Sequence, residues 1–212
     1  MRQSSADRNR IQLHGRVKEK PCLSHVNHGV EFLVFPLTVA RLSGAEDRIN
    51  VVASRQLLER CGPLEADQEV TVRGEVRTFN NRTGVGNRLV ISTFAREIAA
   101  EAGEDENHLE LSGTLCKPPS LRSTPLGRTI CDMILAVNRR YGRADYLPCI
   151  AWGSLAHRCG ELTVGDRVEL NGRLQSRSYT KVVDDRPQER TAFEVSVMSL
   201  LPGGEEVLTQ EE

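Results

Sequence analysis

No stretch of this 212-residue chain approaches the roughly 18 consecutive apolar residues of a membrane-spanning helix, and its start, MRQSSADRNR, has no apolar run behind the arginines. Neither a membrane span nor a secretory signal is expected. No CxxC pair occurs either. The six cysteines, Cys22, Cys61, Cys116, Cys131, Cys149 and Cys159, stand apart, several inside apolar runs such as 129–137 and 147–152. That placement predicts buried thiols in a reducing compartment, not a disulfide frame or a zinc site. No Ser/His/Asp or Cys/His arrangement stands out as catalytic, and Asp132 and Asp145 read as strand residues, not an acid/base pair. Catalysis is therefore not expected, and no metal or cofactor with it. Aromatic residues are scarce, at 4%, and the single tryptophan and all three tyrosines fall in the second half of the chain.

With 39% hydrophobic residues and 17 glycines, the chain has enough apolar side chain for packed cores. The formal net charge of -1 hides a pattern. Residues 11–99 and 107–202 are mildly basic, whereas 100–106 (AEAGEDE) and the last ten residues carry four acidic groups each. A short, charged, polar bridge suits a linker between domains.

Shifting the sequence against itself by 98 positions aligns 13–77 with 111–175 without a gap, and 18 of the 65 positions are identical. The matches include Leu13/Leu111, Gly15/Gly113, Arg41/Arg139, Asp47/Asp145, Gly74/Gly172 and the run Arg60-Cys61-Gly62 against Arg158-Cys159-Gly160. A period of that size is a duplicated domain, not a solenoid. Val70, Val72 and Val76 alternate around Gly74, as Val168, Leu170 and Leu174 do around Gly172, which is the period of a half-buried strand. A glycine at the same point in both copies predicts a sharp bend where a barrel closes. Further strands are expected over 31–41, 48–53 and 88–97, with counterparts over 128–139, 146–151 and 191–200. A short helix, 55–61 or 154–159, lies between strands three and four and ends at Gly62 or Gly160. Five strands with one helix between the third and fourth is the order of an OB-fold barrel. The fold expected is all-β: two tandem OB-folds at 11–99 and 107–202, an arm at 1–10, a linker at 100–106 and an acidic tail at 203–212.

The stretches NHLELSGTL at 107–115, DMILAVNRRY at 132–141, DYLPCIAWGSLAHRC at 145–159 and VGDRVELNGRLQSRSYT at 164–180 resemble the bacterial single-stranded DNA-binding protein (SSB) family. The resemblance covers nearly the whole second unit; the first resembles the family mainly through the repeat. It implies sequence-independent binding of single-stranded DNA in replication, recombination or repair, in a bacterial or mobile-element cytoplasm. It also implies four OB-folds per assembly, which a homodimer of this chain would supply. Replication and repair proteins are the partners the family recruits through an acidic tail tipped by Pro-Phe. The tail GGEEVLTQEE has no such tip, which points to a divergent or mobile-element version.

Holding a strand of any sequence takes flat rings for the bases and cations for the phosphates. The resemblance places Tyr141, Tyr146, Trp152 and Tyr179 at its base-stacking positions. Their counterparts 98 residues earlier are Ser43, Arg48, Ser54 and Asn81, although the apolar core positions keep their character in both copies. Arg139, Arg140 and Arg143 beside Tyr141, with Arg173, Arg177 and Lys181 beside Tyr179, are the candidate phosphate ligands. Phe32, Phe35 and Phe94 are expected in the core of the first unit, with Phe79 near a hairpin tip, so this unit is assigned mainly to assembly. Cys22, His25 and His28 fall in a loop without a fourth ligand and are read as polar loop residues. TGVGN at 83–87 and DDRPQER at 184–190 are expected as hairpin tips. Two other readings remain open: an OB-fold scaffold for protein partners, akin to a primosome accessory subunit, and an RNA-binding OB protein, because stacking alone does not distinguish the sugars.

Overall fold

The computed structural model describes residues 7–81, 87–183 and 186–201. The first unit runs β1 (Asn9–Val17), β2 (Cys22–Asn27), β3 (Val30–Ala40), β4 (Glu46–Ser54), α1 (Arg55–Cys61), β5 (Glu69–Asn80) and β6 (Leu89–Ala100). The second repeats the order with β7 (Glu106–Leu115), β8 (Ser120–Ser123), β9 (Thr129–Asn138), β10 (Ala144–Trp152), α2 (Ser154–Gly160), β11 (Arg167–Val183) and β12 (Arg186–Leu201). A 3-10 turn, Arg140–Gly142, joins β9 to β10. Each unit therefore has the five strands and helix of an OB-fold plus one short extra strand, β2 or β8. The stretch holding Cys22 and His25, expected as a loop, is strand β2. It sits on the sheet edge with all six residues exposed, so it offers no alternation to read.

Both units close. Strand β1 pairs with β5 and, at Arg16 and Val17, with β3, while β4 runs parallel to β6 through Val51–Thr93 and Val52–Phe94. In the second unit β7 pairs with β11 and β9, and β10 is parallel to β12 through Cys149–Val195 and Ile150–Ser196. The inward positions fill the barrels: Leu13, Phe35, Leu37, Ile49, Val70 and Val72 in one, Leu111, Leu135, Leu147, Val168, Leu170 and Leu174 in the other. Register shifts fall between Arg73 and Gly74 and between Asn171 and Gly172. A Cβ on Gly74 would lie 2.2 Å from the Phe94 carbonyl oxygen, and one on Gly172 would lie 2.4 Å from that of Ser196. These glycines are where the strands cross too closely for any side chain.

Ser54 caps α1 by accepting the Leu57 N–H at 3.2 Å, and Gly62, at φ 91°, closes it with an N–H bond to the Leu58 carbonyl. Gly160 differs from the expectation. It is the last residue of α2, the cap is Glu161, and its bare Cα faces Leu121.

The barrels join through antiparallel pairing of β1 with β7, from Asn9–Leu111 to His14–Glu106. Strand β1 thus begins inside the segment expected as an arm. Ile11 pairs with Leu109, its own counterpart in the repeat, so an approximate twofold axis passes through that pair. Of the six thiols, Cys131, Cys149 and Cys159 are buried as expected, and burial pushes Cys159 up to about 11. Cys22 is exposed because its strand lies on the edge. Residues 83–86, 184–185 and 203–212, which include most of the first expected hairpin tip and the acidic tail, lie outside the described residues.

Candidate nucleic-acid interface

Residues directly opposed across paired strands point to the same face of a sheet, and alternate residues along a strand share that face. On β10, Leu147, Cys149 and Ala151 face the barrel interior, so alternation puts Tyr146, Pro148, Ile150 and Trp152 on the other side, where Tyr146 and Trp152 are exposed and Ile150 is covered. Ile150 is opposed to Ser196 on β12, and Ser196 to Arg173 on β11. Arg173, Gln175, Arg177 and Tyr179 share the side of β11 opposite Leu174; Gln175 is itself buried, Arg173 and Tyr179 are half-buried and Arg177 is exposed. Register therefore sets Tyr146, Trp152, Arg173, Arg177 and Tyr179 on one outer face of the second barrel.

Tyr146 is 53% exposed and Trp152 42% exposed. The Arg177 guanidinium carbon lies 5.9 Å from the centre of the Tyr179 ring, within cation–π range. Tyr141 lies in the turn between β9 and β10, five residues before Tyr146. It has φ 68° and is almost fully exposed. An aromatic residue in left-handed backbone with no side-chain packing contributes nothing to the core, so its ring is available for stacking. Arg140 and Arg143 flank it and are exposed. Lys181 lies in β11, and its side chain is outside the described ones.

Arg139 corrects the expectation. Its Nε donates to Asp145 Oδ2 at 2.5 Å, a second nitrogen reaches Oδ1 of the same carboxylate, and Nη2 also donates to the Thr78 carbonyl at 3.2 Å. This arginine is engaged in joining the barrels. Asp145 is fully buried and also accepts from the Thr78 N–H at 2.6 Å, from Thr78 Oγ1 at 3.1 Å and from Arg77 at 3.2 Å. The twofold-related set repeats this: Arg41 binds Asp47, which accepts from the Ser176 N–H at 2.7 Å. Burial alone would push the Asp145 carboxyl up, but Arg139, the Thr78 N–H and Arg77 together hold it below the ordinary carboxylate range. The signal for this clasp was in the sequence, since Arg and Asp recur in both copies at the same spacing of six.

Two rings of the first unit, Phe32 and Phe94, also depart from expectation. Only Phe35 is in the core; Phe32 and Phe94 are half-buried and point outward, and Phe79 is 56% exposed. Alternation had read them as interior because β3 and β6 are apolar on both faces. Asn87 bridges the two units at the rim: its Oδ1 accepts the Tyr179 hydroxyl at 3.3 Å, and its Nδ2 donates to the Thr191 carbonyl. No group of three metal-ligating side chains occurs among the described residues; His25 stacks on Phe32 instead.

Residues 106–201 match the model of the single-strand binding protein family. The single-stranded DNA-binding protein of Halalkalibacterium halodurans is 33% identical over 100 residues, 44% of this chain and 56% of that protein. That of Bacillus cereus is 34% identical over 110 residues, 47% of this chain and 65% of that protein. The alignments thus span somewhat over half the length of these curated relatives. A mutant single-stranded DNA binding protein from Thermus aquaticus superposes with a TM-score of 0.74 at 25% identity, covering 97% of this chain and 99% of that one, so the tandem arrangement is shared with a solved structure. Over residues 106–201, nearly the whole second barrel, this chain is similar to the single-strand binding protein family.

Proposed function

We propose that the protein binds single-stranded DNA without sequence preference and without catalysis, in bacterial or mobile-element replication, recombination or repair. The observation that carries this reading is the shared outer face that holds Tyr146 and Trp152 on β10 and Arg173, Arg177 and Tyr179 on β11. Tyr146 and Trp152 stand exposed, and Tyr179, half-buried, lies beside the Arg177 guanidinium. Each base stacked on such a ring contributes about 1–3 kcal/mol, less the cost of ordering the strand. Arg140 and Arg143 extend the cationic edge beyond Tyr141. Both barrels serve as domains, and a homodimer supplies four OB-folds. The test is quenching of Trp152 fluorescence by oligo(dT) at two salt concentrations, with oligo(U) as competitor. Quenching that weakens with salt and resists oligo(U) supports the reading. Absence of quenching favours a scaffold for protein partners, and equal competition by oligo(U) favours an RNA role.

A further inference from the structure

The first barrel lacks an aromatic residue at every position that carries one in the second, yet its corresponding face is not bare. Val52 on β4 is opposed to Phe94 on β6, Phe94 to Glu75 on β5, and Phe32 on β3 to Ser54 on β4. Shared register puts Phe32, Phe94 and, further along β5, Phe79 on the face equivalent to that of Tyr146, Trp152 and Tyr179. The rings have moved to neighbouring places on that face. In the second barrel Trp152 is opposed to Ile130; in the first, Ser54 is opposed to Phe32, so the ring has crossed to the partner strand. Where the second barrel has Arg177 followed by Tyr179, the first has Phe79 followed by Asn81, so the ring has stepped back one outward position.

These rings form a ladder. His25, on the exposed edge strand β2, stacks on Phe32 with centroids 5.0 Å apart and planes 13° apart. Phe32 meets Phe94 at 5.6 Å, and the Arg96 guanidinium carbon lies 4.9 Å from the Phe94 centroid. Arg48, at the place of Tyr146, and Arg96 are exposed at the borders. Asn87, in the hairpin that follows Phe79, accepts the Tyr179 hydroxyl, so the first barrel touches the second beside Tyr179.

We infer that the His25–Phe32–Phe94 ladder, with Phe79 toward the rim, is a second nucleobase-stacking site that takes the continuation of the strand held by the second barrel. This rests on the reading of the second barrel as a single-stranded DNA site. π-faces for bases and arginines for phosphates are what such an occupant requires. The first barrel then contributes to binding as well as to assembly.

The test uses the full chain and its single tryptophan, which reports only on the second barrel. Affinity is measured for oligo(dT) of about 10 nucleotides, the span of one OB-fold, and of about 20, the span of two. In the unmodified chain the longer strand binds more tightly. In Phe32→Ala with Phe94→Ala, and in the exposed pair His25→Ala with Arg48→Ala, which carries little folding risk, that gain from length falls, by about tenfold or more for the phenylalanine pair. A gain from length as large in both variants as in the unmodified chain overturns the inference and leaves the second barrel's site standing. Absence of quenching by either strand in the unmodified chain overturns both readings. Photocrosslinking of a 5-iodouracil oligonucleotide to the unmodified chain gives a check without mutation. Adducts on the peptides containing His25, Phe32 or Phe94 support the inference, and adducts confined to the second barrel overturn it.

Discussion

The buried carboxylate of Asp145 accepts the backbone N–H of Thr78 at 2.6 Å and so fastens the second barrel to the first. Asp47 makes the same bond to Ser176 at 2.7 Å, as the twofold relation requires. Asp145→Ala leaves Arg139 and Arg77 facing each other without their shared anion. Removing one partner of a buried pair costs about 3–5 kcal/mol. Urea unfolding should therefore show a loss of that order; a loss below about 1 kcal/mol would mean the barrels are held mainly by the β1–β7 pairing.

The same carboxylate sets an acid limit. Its pKa is lower in the folded chain than in the unfolded one, so between the two values the unfolded chain holds more protons. The stabilisation is complete above the unfolded value of about 3.9 and is lost as the pH falls through the folded value. Asp145→Asn should flatten the part of the stability profile below about pH 4, as followed by chemical denaturation at stepped pH. An unchanged slope there would assign the acid response to other carboxylates.

Among the arginines, position decides role. Arg140 and Arg177 are exposed beside rings, and each phosphate neutralised on a single strand contributes about 0.7 to the slope of log affinity against log salt. Arg140→Ala with Arg177→Ala should lower that slope by about 1.4 while leaving the melting temperature nearly constant. Arg139→Ala should do the reverse, lowering stability through the unpaired Asp145. Titrations at three salt concentrations beside thermal melts separate the two. A lower slope for Arg139→Ala at constant stability would restore it as a phosphate ligand.

Most of the architecture was legible because the duplication displays each structural requirement twice. Gly74 and Gly172 mark the crowded crossing, and the valine and leucine alternation marks the barrel interior. What escaped were features without periodicity. β2 and β8 are edge strands exposed along their length, although His28 and Gly29, both at positive φ between Asn27 and Val30, are a two-residue hairpin signal for β2. The direction of Phe32 and Phe94 could not be read either, because on β3 and β6 apolar residues occupy both faces. Arg139 looked like a neighbour of Tyr141 in sequence, yet it points to a carboxylate six residues on.

The second barrel's rings differ in their surroundings, and their substitutions should differ accordingly. Tyr141 is almost fully exposed, so Tyr141→Ala should weaken oligo(dT) binding by about 1–3 kcal/mol with little change in stability. Tyr179 is partly buried, bonds Asn87 and lies near Arg177, so Tyr179→Ala should weaken binding and also lower stability by about 0.5–1.5 kcal/mol. Fluorescence titration together with denaturation reads both quantities. If Tyr141→Ala leaves affinity intact, the face ends at Tyr146.

Two glycines test the barrel geometry with opposite signs. At Gly172 an added methyl would meet the Ser196 carbonyl oxygen at 2.4 Å. That obstacle is backbone of the adjacent strand, just beyond the register shift, and it cannot rotate away. Gly172→Ala should cost about 1–3 kcal/mol and, by displacing β12, disturb the face that carries Arg173. At Gly160 the nearest atoms to an added Cβ belong to the Leu121 side chain at 3.5–3.7 Å, an ordinary contact, and the residue closes helix α2. Gly160→Ala should be neutral or stabilise by up to about 1 kcal/mol through reduced unfolded-state entropy. Parallel urea curves decide the matter: equal losses at the two positions would mean that the close approach of β11 to β12 is not what requires glycine at Gly172.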